Sequence, residues 1–433
     1  MASKSYRGRQ PEVGETVVVI GAGRSGCAVS KLLARRNIRV RLLDRDEHAV
    51  SAAKKGELEA CGIEFVSGPH KPEYFKDASF IVPSPGMPIS EVHKFLKDDH
   101  SVEIIAETEM AWRFLDDEPI LAVTGTSGKT TTASLAAAML KQQGYTVFLG
   151  GNIGTPLSEY LLDTRKADVI VLEISSFQLQ GCNTFAPRAA ILLNLSPNHL
   201  DYHADLREYE SAKFRIFRCQ SENDLAIINS SLKENSKNYP IPAHVYWLKD
   251  AGTFSKMSLQ GEHNRLNAEA AWQAARFFGV GLQNAQSAVD AFKPLPHRLE
   301  IVAQKNGVTY INDSKCTTVD ALQAALNSFD RPVRLLCGGK FKGGNLEELA
   351  PLIREKVREV ALFGASREIF EKAWKDTVPI SWSKNLEGAV MELKKNACLG
   401  DIILLSPATS SYDAYKNYME RGDDFKRIVG SIA

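Results

Sequence analysis

Between residues 120 and 140 the chain passes from an apolar run, Ile120-Leu121-Ala122-Val123, through Thr124-Gly125-Thr126-Ser127-Gly128-Lys129-Thr130-Thr131-Thr132 into an alanine- and leucine-rich stretch. The first run reads as a buried strand over 120–123 and the last as a helix over 133–140. The polar segment between them is therefore a strand-to-helix turn, the unit from which parallel α/β sheets are built. Gly125 and Gly128 let backbone amides converge on a phosphate chain, and the helix N-terminus adds the positive end of its dipole. Lys129 can reach terminal phosphate oxygens, and Thr130 can offer its hydroxyl to Mg²⁺. The full G-x-x-x-x-G-K-[ST] pattern would require glycine at 123, where the chain has Val123, so this is a shortened phosphate loop.

A chain of 433 residues holds about three domains of ordinary size. With 53 Lys+Arg against 52 Asp+Glu, no global field favours nucleic acid or an anionic membrane. The seven cysteines, Cys27, Cys61, Cys182, Cys219, Cys316, Cys337 and Cys398, include no C-x-x-C pair. They read as reduced cytosolic thiols rather than a disulfide frame or zinc site. Residues 1–14 are polar and basic, and no stretch approaches 18 consecutive apolar residues, so neither export nor membrane spanning is expected.

Taken in order, a strand over 16–20 leads into Gly21-Ala22-Gly23-Arg24-Ser25-Gly26, a helix to about residue 36, and a strand over 38–43 ending in Asp44. This matches a dinucleotide fingerprint, with an acid about twenty positions on that could hold a ribose hydroxyl, and alone it favours NAD. Against NAD, the α/β segment ends near Thr108 and the phosphate loop follows directly. A strand over 80–82 runs into Pro83-Ser84-Pro85-Gly86, a tight turn where α/β sheets usually bind ligands. The bland alternative is a proline-rich surface turn.

In the central segment, three more polar clusters follow expected strands: Gly150-Gly151-Asn152-Ile153-Gly154 after 147–149, Glu173-Ile174-Ser175-Ser176-Phe177-Gln178 after 168–172, and Asn194 with Asn198-His199-Leu200-Asp201 after 189–193. In a parallel sheet these tips share one edge with the phosphate loop, which argues for a catalytic site there. Glu173 stands where a nucleotide hydrolase or ligase keeps its Mg²⁺ carboxylate. His199 reads equally as a second metal ligand or a solvated loop histidine. Lys213, on an expected helix, reads from its neighbours as a solvated lysine. Asn264 and Asn267, at the head of a helix over 268–278, could face a purine or serve as N-caps. Lys293-Pro294-Leu295-Pro296-His297-Arg298 breaks any helix and reads as a linker.

From residue 298 onward, strands and helices alternate: 308–311, 319–326, 333–337, 346–357, 360–363, 386–393, 402–405 and 412–429. The alternation predicts a second open parallel sheet. Its polar strand ends are Asn312-Asp313-Ser314-Lys315-Cys316-Thr317, Gly338-Gly339-Lys340-Phe341-Lys342-Gly343-Gly344 and Ser406-Pro407-Ala408-Thr409-Ser410-Ser411, which carry cations or hydroxyls suited to a carboxylate or phosphate. The expected division is thus 1–107, Rossmann-like; 108–297, a central phosphate-loop sheet; and 298–433, again Rossmann-like.

In this order, the loop 125–131, Gly151-Asn152-Ile153-Gly154, Glu173-Ile174-Ser175-Ser176, Asn198-His199-Leu200-Asp201, Asn264-Arg265-Leu266-Asn267, His297-Arg298 and Asp313-Ser314-Lys315 resemble the Mur ligase family over nearly the whole chain. Residues 21–26 and 404–425 most resemble the branch that adds D-glutamate to UDP-N-acetylmuramoyl-L-alanine. The resemblance implies a cytoplasmic, ATP-dependent enzyme, expected to be a monomer, that makes peptidoglycan precursor through an acyl phosphate. Its alternatives are a sister ligase adding another amino acid, a folate polyglutamate synthase, a nicotinamide oxidoreductase, and a nucleotide-driven switch. It further implies that Ser25, Asp44, Ser84 and Asn152 hold the UDP-linked substrate. Gly125, Thr126, Ser127, Gly128, Lys129, Thr130 and Thr131 would hold the ATP phosphates, and Asn267, Arg298 and Asp313 the adenosine. Thr130 and Glu173 would serve one Mg²⁺, and Glu173 and His199 a second, with Lys213 as a carbamate ligand. Arg298 and Lys315 would offset charge on the transferring phosphate. Thr317, Lys342, Ser411 and Tyr418 fall where the family contacts D-glutamate.

Overall fold

The structure is a computed structural model that describes residues 7–96, 102–196, 202–254, 257, 261–293, 296–329 and 331–432. Its Cα positions group into two compact units: residues up to 195 with 202–250 and 267–289, and residues 251–266 with those from 290 onward.

The first unit contains two sheets. In one, β1 (Thr16–Ile20), β2 (Arg39–Asp44), β3 (Ile63–Ser67), β4 (Ala78–Pro83) and β5 (Glu103–Ile104) lie in the order β3-β2-β1-β4-β5. All pairs are parallel, as crossover helices such as Arg24–Arg35 require. Val17, Val19, Leu32, Leu33, Leu42 and Phe80 form one face of its core. Strand order reverses between β1 and β4, the place where open α/β sheets leave a ligand crevice.

The other sheet has β6 (Ile120–Thr124), β7 (Val147–Gly151), β8 (Val169–Glu173), β9 (Ala189–Leu192), β10 (Leu225–Asn229) and β11 (His244–Leu248) in the order β11-β10-β9-β6-β8-β7. It too is fully parallel, so every strand exits at the same edge. β6 and β8 are buried along their whole length, which explains their uninterrupted apolar runs. The helix after β6 begins at Lys129 and ends at Gln142, longer at both ends than its alanine-rich middle suggests.

A single helix, Glu107–Phe114, joins the two sheets, and all eight of its residues are buried. Buried Arg113 donates to Glu109 at 3.0 Å and to Glu103, and Glu109 also accepts the Thr184 and Phe185 amides at 3.0 Å each. Arg24 forms a second tie, with both its Nε and a terminal nitrogen 2.9 Å from Glu159.

The second unit holds β12 (Glu300–Lys305), β13 (Val308–Asn312), β14 (Val333–Gly338), β15 (Val357–Phe363), β16 (Ile380–Ser383) and β17 (Ile402–Leu405), ordered β12-β13-β17-β14-β15-β16. The sheet is not wholly parallel as expected: β12 pairs antiparallel with β13. Asn306 and Gly307, at φ of 50° and 75°, make the two-residue turn that lets adjacent strands reverse. The helix expected over 412–429 begins only at Tyr418, where the Asn417 side chain caps it by accepting the Glu420 amide at 2.9 Å. The expected 346–357 helix resolves into a 3₁₀ turn, Glu347–Leu349, and a helix, Ala350–Lys356, with Pro351 in its first turn.

Candidate active site

Each of the four central tips named from the sequence leaves the same edge of its parallel sheet. Gly125 and Gly128, at φ of 150° and 84°, turn the chain from β6 into its helix. A side chain at Gly128 would collide with the Asn267 amide oxygen, so Asn267 stands directly over the loop. Asn194 braces the loop from β9: its carbonyl accepts the Thr126 amide at 3.0 Å, and its side chain accepts the Ser127 amide at 2.8 Å. The buried Thr126 hydroxyl lies 2.9 Å from the Tyr209 hydroxyl. Thr130 and Thr131 are buried in the first helical turn.

Glu173 ends β8 in register with Val123 on one side and Gly151 on the other. It is 2% exposed, and its Oε1 accepts from the Asn152 side-chain amide at 2.7 Å. The Asn152 backbone amide donates to the Glu173 carbonyl at 2.8 Å, and Gly151 lies so close to that carbonyl that a Cβ there would clash. Glycine followed by asparagine after β7 thus orients the carboxylate at the end of β8.

The solvated reading of Lys213 does not hold. The helix Leu206–Phe214, capped by Asp205, turns Lys213 inward; it is 2% exposed and its Nζ donates to the Gly125 carbonyl at 2.8 Å. The ring of Tyr209, one turn earlier, lies 4.7 Å from the same nitrogen. Lys129 Nζ donates to that same Gly125 carbonyl at 2.9 Å and to the Thr126 carbonyl at 3.0 Å. Burial pushes the Lys213 amine well below the ordinary lysine range, and the Lys129 charge pushes the same way against the pull of Glu173. Asn198, His199 and Asp201 lie outside the described residues.

At the first sheet's switch point, Gly21 (φ 97°) packs so tightly on Ser84 that a Cβ would stand 2.8 Å from the Ser84 Cβ. Asp44 Oδ2 accepts the Ala22 amide at 2.7 Å, and half-buried Ser25 sits in the first turn of the following helix. Gly21, Asp44 and Ser84 thus come together from the ends of β1, β2 and β4, while Ser25 starts the next element.

In the second unit, the ends of neighbouring β13, β17 and β14 meet. Asp313 Oδ2 accepts the Ser406 hydroxyl at 2.8 Å, and its Oδ1 accepts the Leu299 amide at 3.3 Å. Burial raises Asp313 to about 7, opposed by Ser406 and by the charge of nearby Arg298. Lys340 and Ser410 pair by mutual backbone hydrogen bonds, joining the Lys342 loop to the Ser411 segment. The Lys315 ammonium lies 5.4 Å from the Tyr418 ring and the Lys342 ammonium 5.4 Å from the Tyr412 ring. Thr317 is half-buried and Ser411 buried. Cys316 is also buried, and its thiol is pushed up to about 12, chiefly by burial. Asn264 and Asn267 are not N-caps, because their helix starts at Glu262; both are buried.

Three family profiles match the chain: a Mur ligase MurD-like N-terminal domain over 15–106, a Mur ligase middle domain over 123–246, and a Mur ligase glutamate ligase domain over 297–409. A UDP-N-acetylmuramoylalanine--D-glutamate ligase of Desulfovibrio desulfuricans is 60% identical over 435 residues, covering 100% of both chains. Another, from Nitratidesulfovibrio vulgaris, is 54% identical over 99% of this chain and 98% of its own. The chain belongs to the Mur ligase family. Solved structures share its fold: a MurF ligase of Thermotoga maritima in complex with ADP (TM-score 0.60, 18% identity, 100% of both chains) and a pseudomurein peptide ligase type C of Methanothermus fervidus (TM-score 0.60, 17% identity, 97% and 100%).

Two groups of this Mur ligase escaped the sequence reading. Buried His203 places Nε2 3.0 Å from the Ser176 hydroxyl and stacks on Phe177 with centroids 5.5 Å apart. Arg421, fully buried, donates to the Ser314 and Thr409 carbonyls at 2.8 and 3.0 Å, and burial lowers it to about 10. Arg421 lies within the 404–425 segment that carries the resemblance, but nothing in Arg421-Gly422-Asp423-Asp424 marks its side chain as buried.

Proposed function

We propose that the chain is an ATP-dependent ligase that joins D-glutamate to UDP-N-acetylmuramoyl-L-alanine in cytoplasmic peptidoglycan precursor synthesis. The observation that carries this reading is the 60% identity, over its whole length, to a relative named for that reaction. Residues 1–107 take the UDP-linked substrate through Ser25, Asp44 and Ser84; residues 108–297 take ATP; residues 298–433 supply the amino-acid contacts. The enzyme acts as a monomer. Among the described residues no helix is long and apolar enough to cross a membrane.

The substrate carboxylate is a poor electrophile, so its oxygen attacks the ATP γ-phosphorus and ADP leaves. The D-glutamate amine then attacks the acyl phosphate carbon, gives up a proton, and expels phosphate. Lys129 and the 125–131 backbone hold the ATP phosphates, Asn267 and the Arg298 and Asp313 groups the adenosine, and Asn152 the muramoyl end. Lys315 and Arg298 neutralise charge on the transferring group. Thr317, Lys342, Ser411 and Tyr418 bind D-glutamate.

Glu173, buried beside the loop with one oxygen steadied by Asn152, and the Thr130 hydroxyl are hard oxygen donors of the kind Mg²⁺ takes. Thr130 and Glu173 would hold one ion and Glu173 and His199 a second, with a carbamate on Lys213 as a further ligand, and the ions would supply charge neutralisation to phosphoryl transfer. A carbamate forms when a neutral amine nitrogen adds to CO₂ and loses a proton; the depressed amine of Lys213 suits that step.

The test is ATP-dependent phosphate release and amide formation with UDP-N-acetylmuramoyl-L-alanine, comparing D-glutamate with L-glutamate, L-alanine, L-lysine and no amino acid. Turnover only with D-glutamate is expected. Turnover with another amino acid would move the chain to a sister activity, and hydrolysis with none would favour a nucleotide-driven switch.

A further inference from the structure

Phe177 and Tyr202 join two elements that the function above uses separately. Phe177 lies in the first turn of the helix Ser176–Gln180, just past Glu173. Its ring packs on the Tyr202 ring with centroids 4.0 Å apart, and His203 packs on it with centroids at 5.5 Å while its Nε2 lies 3.0 Å from the Ser176 hydroxyl. From this platform the Tyr202 hydroxyl donates to the Met87 carbonyl at 3.1 Å. Met87 in turn closes the tight turn at the end of β4, its amide donating to the Ser84 carbonyl at 2.9 Å. A short series of contacts therefore runs from Ser84 at the first sheet's crevice to the loop behind Glu173.

Phe177, Tyr202 and Met87 are all half-buried, so this bridge borders open space instead of filling a core. A core contact would be apolar. Here one neutral hydrogen bond, aimed at a backbone carbonyl, ties the Ser84 turn to this platform. Burial pushes the Tyr202 phenol up to about 12, so it remains a donor at neutral pH.

We propose that Tyr202 is a positioning residue that fixes the spacing between the uridine-diphosphate crevice and the phosphoryl-transfer edge, and so selects a substrate long enough to span both. This rests on the function proposed above. A ligand that occupies only the crevice does not use the spacing; a ligand that reaches both ends does.

The test is Tyr202→Phe, which keeps the ring stack and removes only the donor. Calorimetric titration of UDP and of UDP-N-acetylmuramoyl-L-alanine is compared with steady-state kinetics. The expected result is a roughly three- to tenfold weaker Kd and higher KM for the full substrate, the value of one neutral hydrogen bond. The Kd for UDP alone, kcat, and KM for ATP and D-glutamate should stay within about twofold. Equal weakening of UDP and full substrate would make Tyr202 a mere support of the Ser84 turn and overturn the proposal, as would no change in either. Absence of D-glutamate-dependent turnover in the unsubstituted enzyme would instead overturn the proposed reaction, a separate result read before the variant is made.

Discussion

Replacing Asp313 by asparagine should make its sheet more stable at high pH and leave it nearly unchanged at low pH. Burial raises this carboxyl from an ordinary 3.8 to about 7, even though Ser406 and the Leu299 amide bond its oxygens. Because the folded value lies above the unfolded one, the stability associated with the group is whole below pH 4. It is lost as pH rises toward 7 and is constant beyond. At about 1.4 kcal/mol per pH unit the full loss is about 4 kcal/mol, of which about 3 falls between pH 4.5 and 8. Asparagine does not titrate, still offers an oxygen to Leu299, and lets the Ser406 hydroxyl turn to accept, at a cost of about 1 kcal/mol. The two proteins should be near parity at pH 4.5, and Asp313→Asn should be ahead by about 3 kcal/mol at pH 8. Hydrogen exchange of peptides from β13 and β17 reads this sheet alone: at pH 8 the variant should be protected about a hundredfold more. A gap of the same size at both pH values, or one that reverses sign at pH 8, would refute the reasoning. A carboxylate kept at such a cost fits the adenosine contact proposed for it, where function and stability pull apart.

Arg113→Met should destabilise the first unit by about 3–5 kcal/mol in thermal unfolding, because it leaves Glu109, 0% exposed, without its guanidinium partner. Gly26→Ala drives a methyl into the Gly21 carbonyl at the first crevice. UDP should then bind at least about tenfold more weakly while ADP affinity holds, and equal losses of both ligands would contradict separate sites. Lys213→Ala should be nearly inactive and partly restored by a short carboxylic acid. No rescue, together with an unmodified lysine by mass spectrometry, would count against the carbamate.

Strand ends and loops were legible in the sequence where local chemistry is forced. The apolar runs of β6 and β8 are written that way because parallel strands covered on both faces have no polar side. The glycines of the phosphate loop have backbone angles that other residues avoid. The antiparallel β12, Glu300–Lys305, is absent from the expected elements, and the one local mark of it is the Asn306-Gly307 turn before β13.

Lys213 shows where legibility stops. Its neighbours, Tyr209-Glu210-Ser211-Ala212-Lys213-Phe214-Arg215, have no period that marks the lysine as inward. What turns it in is the position of the helix against the phosphate loop, where Tyr209 meets Thr126 and both Lys213 and Lys129 meet the Gly125 carbonyl. Burial disfavours the charged form of Lys213 most, and the Lys129 ammonium on the same carbonyl disfavours it further, against the pull of Glu173. The property that suits Lys213 to CO₂ is thus absent from the residue and its flanks. It arises from burial against the phosphate loop, to which the charge of a second lysine 84 positions earlier adds, so only the folded chain could reveal it.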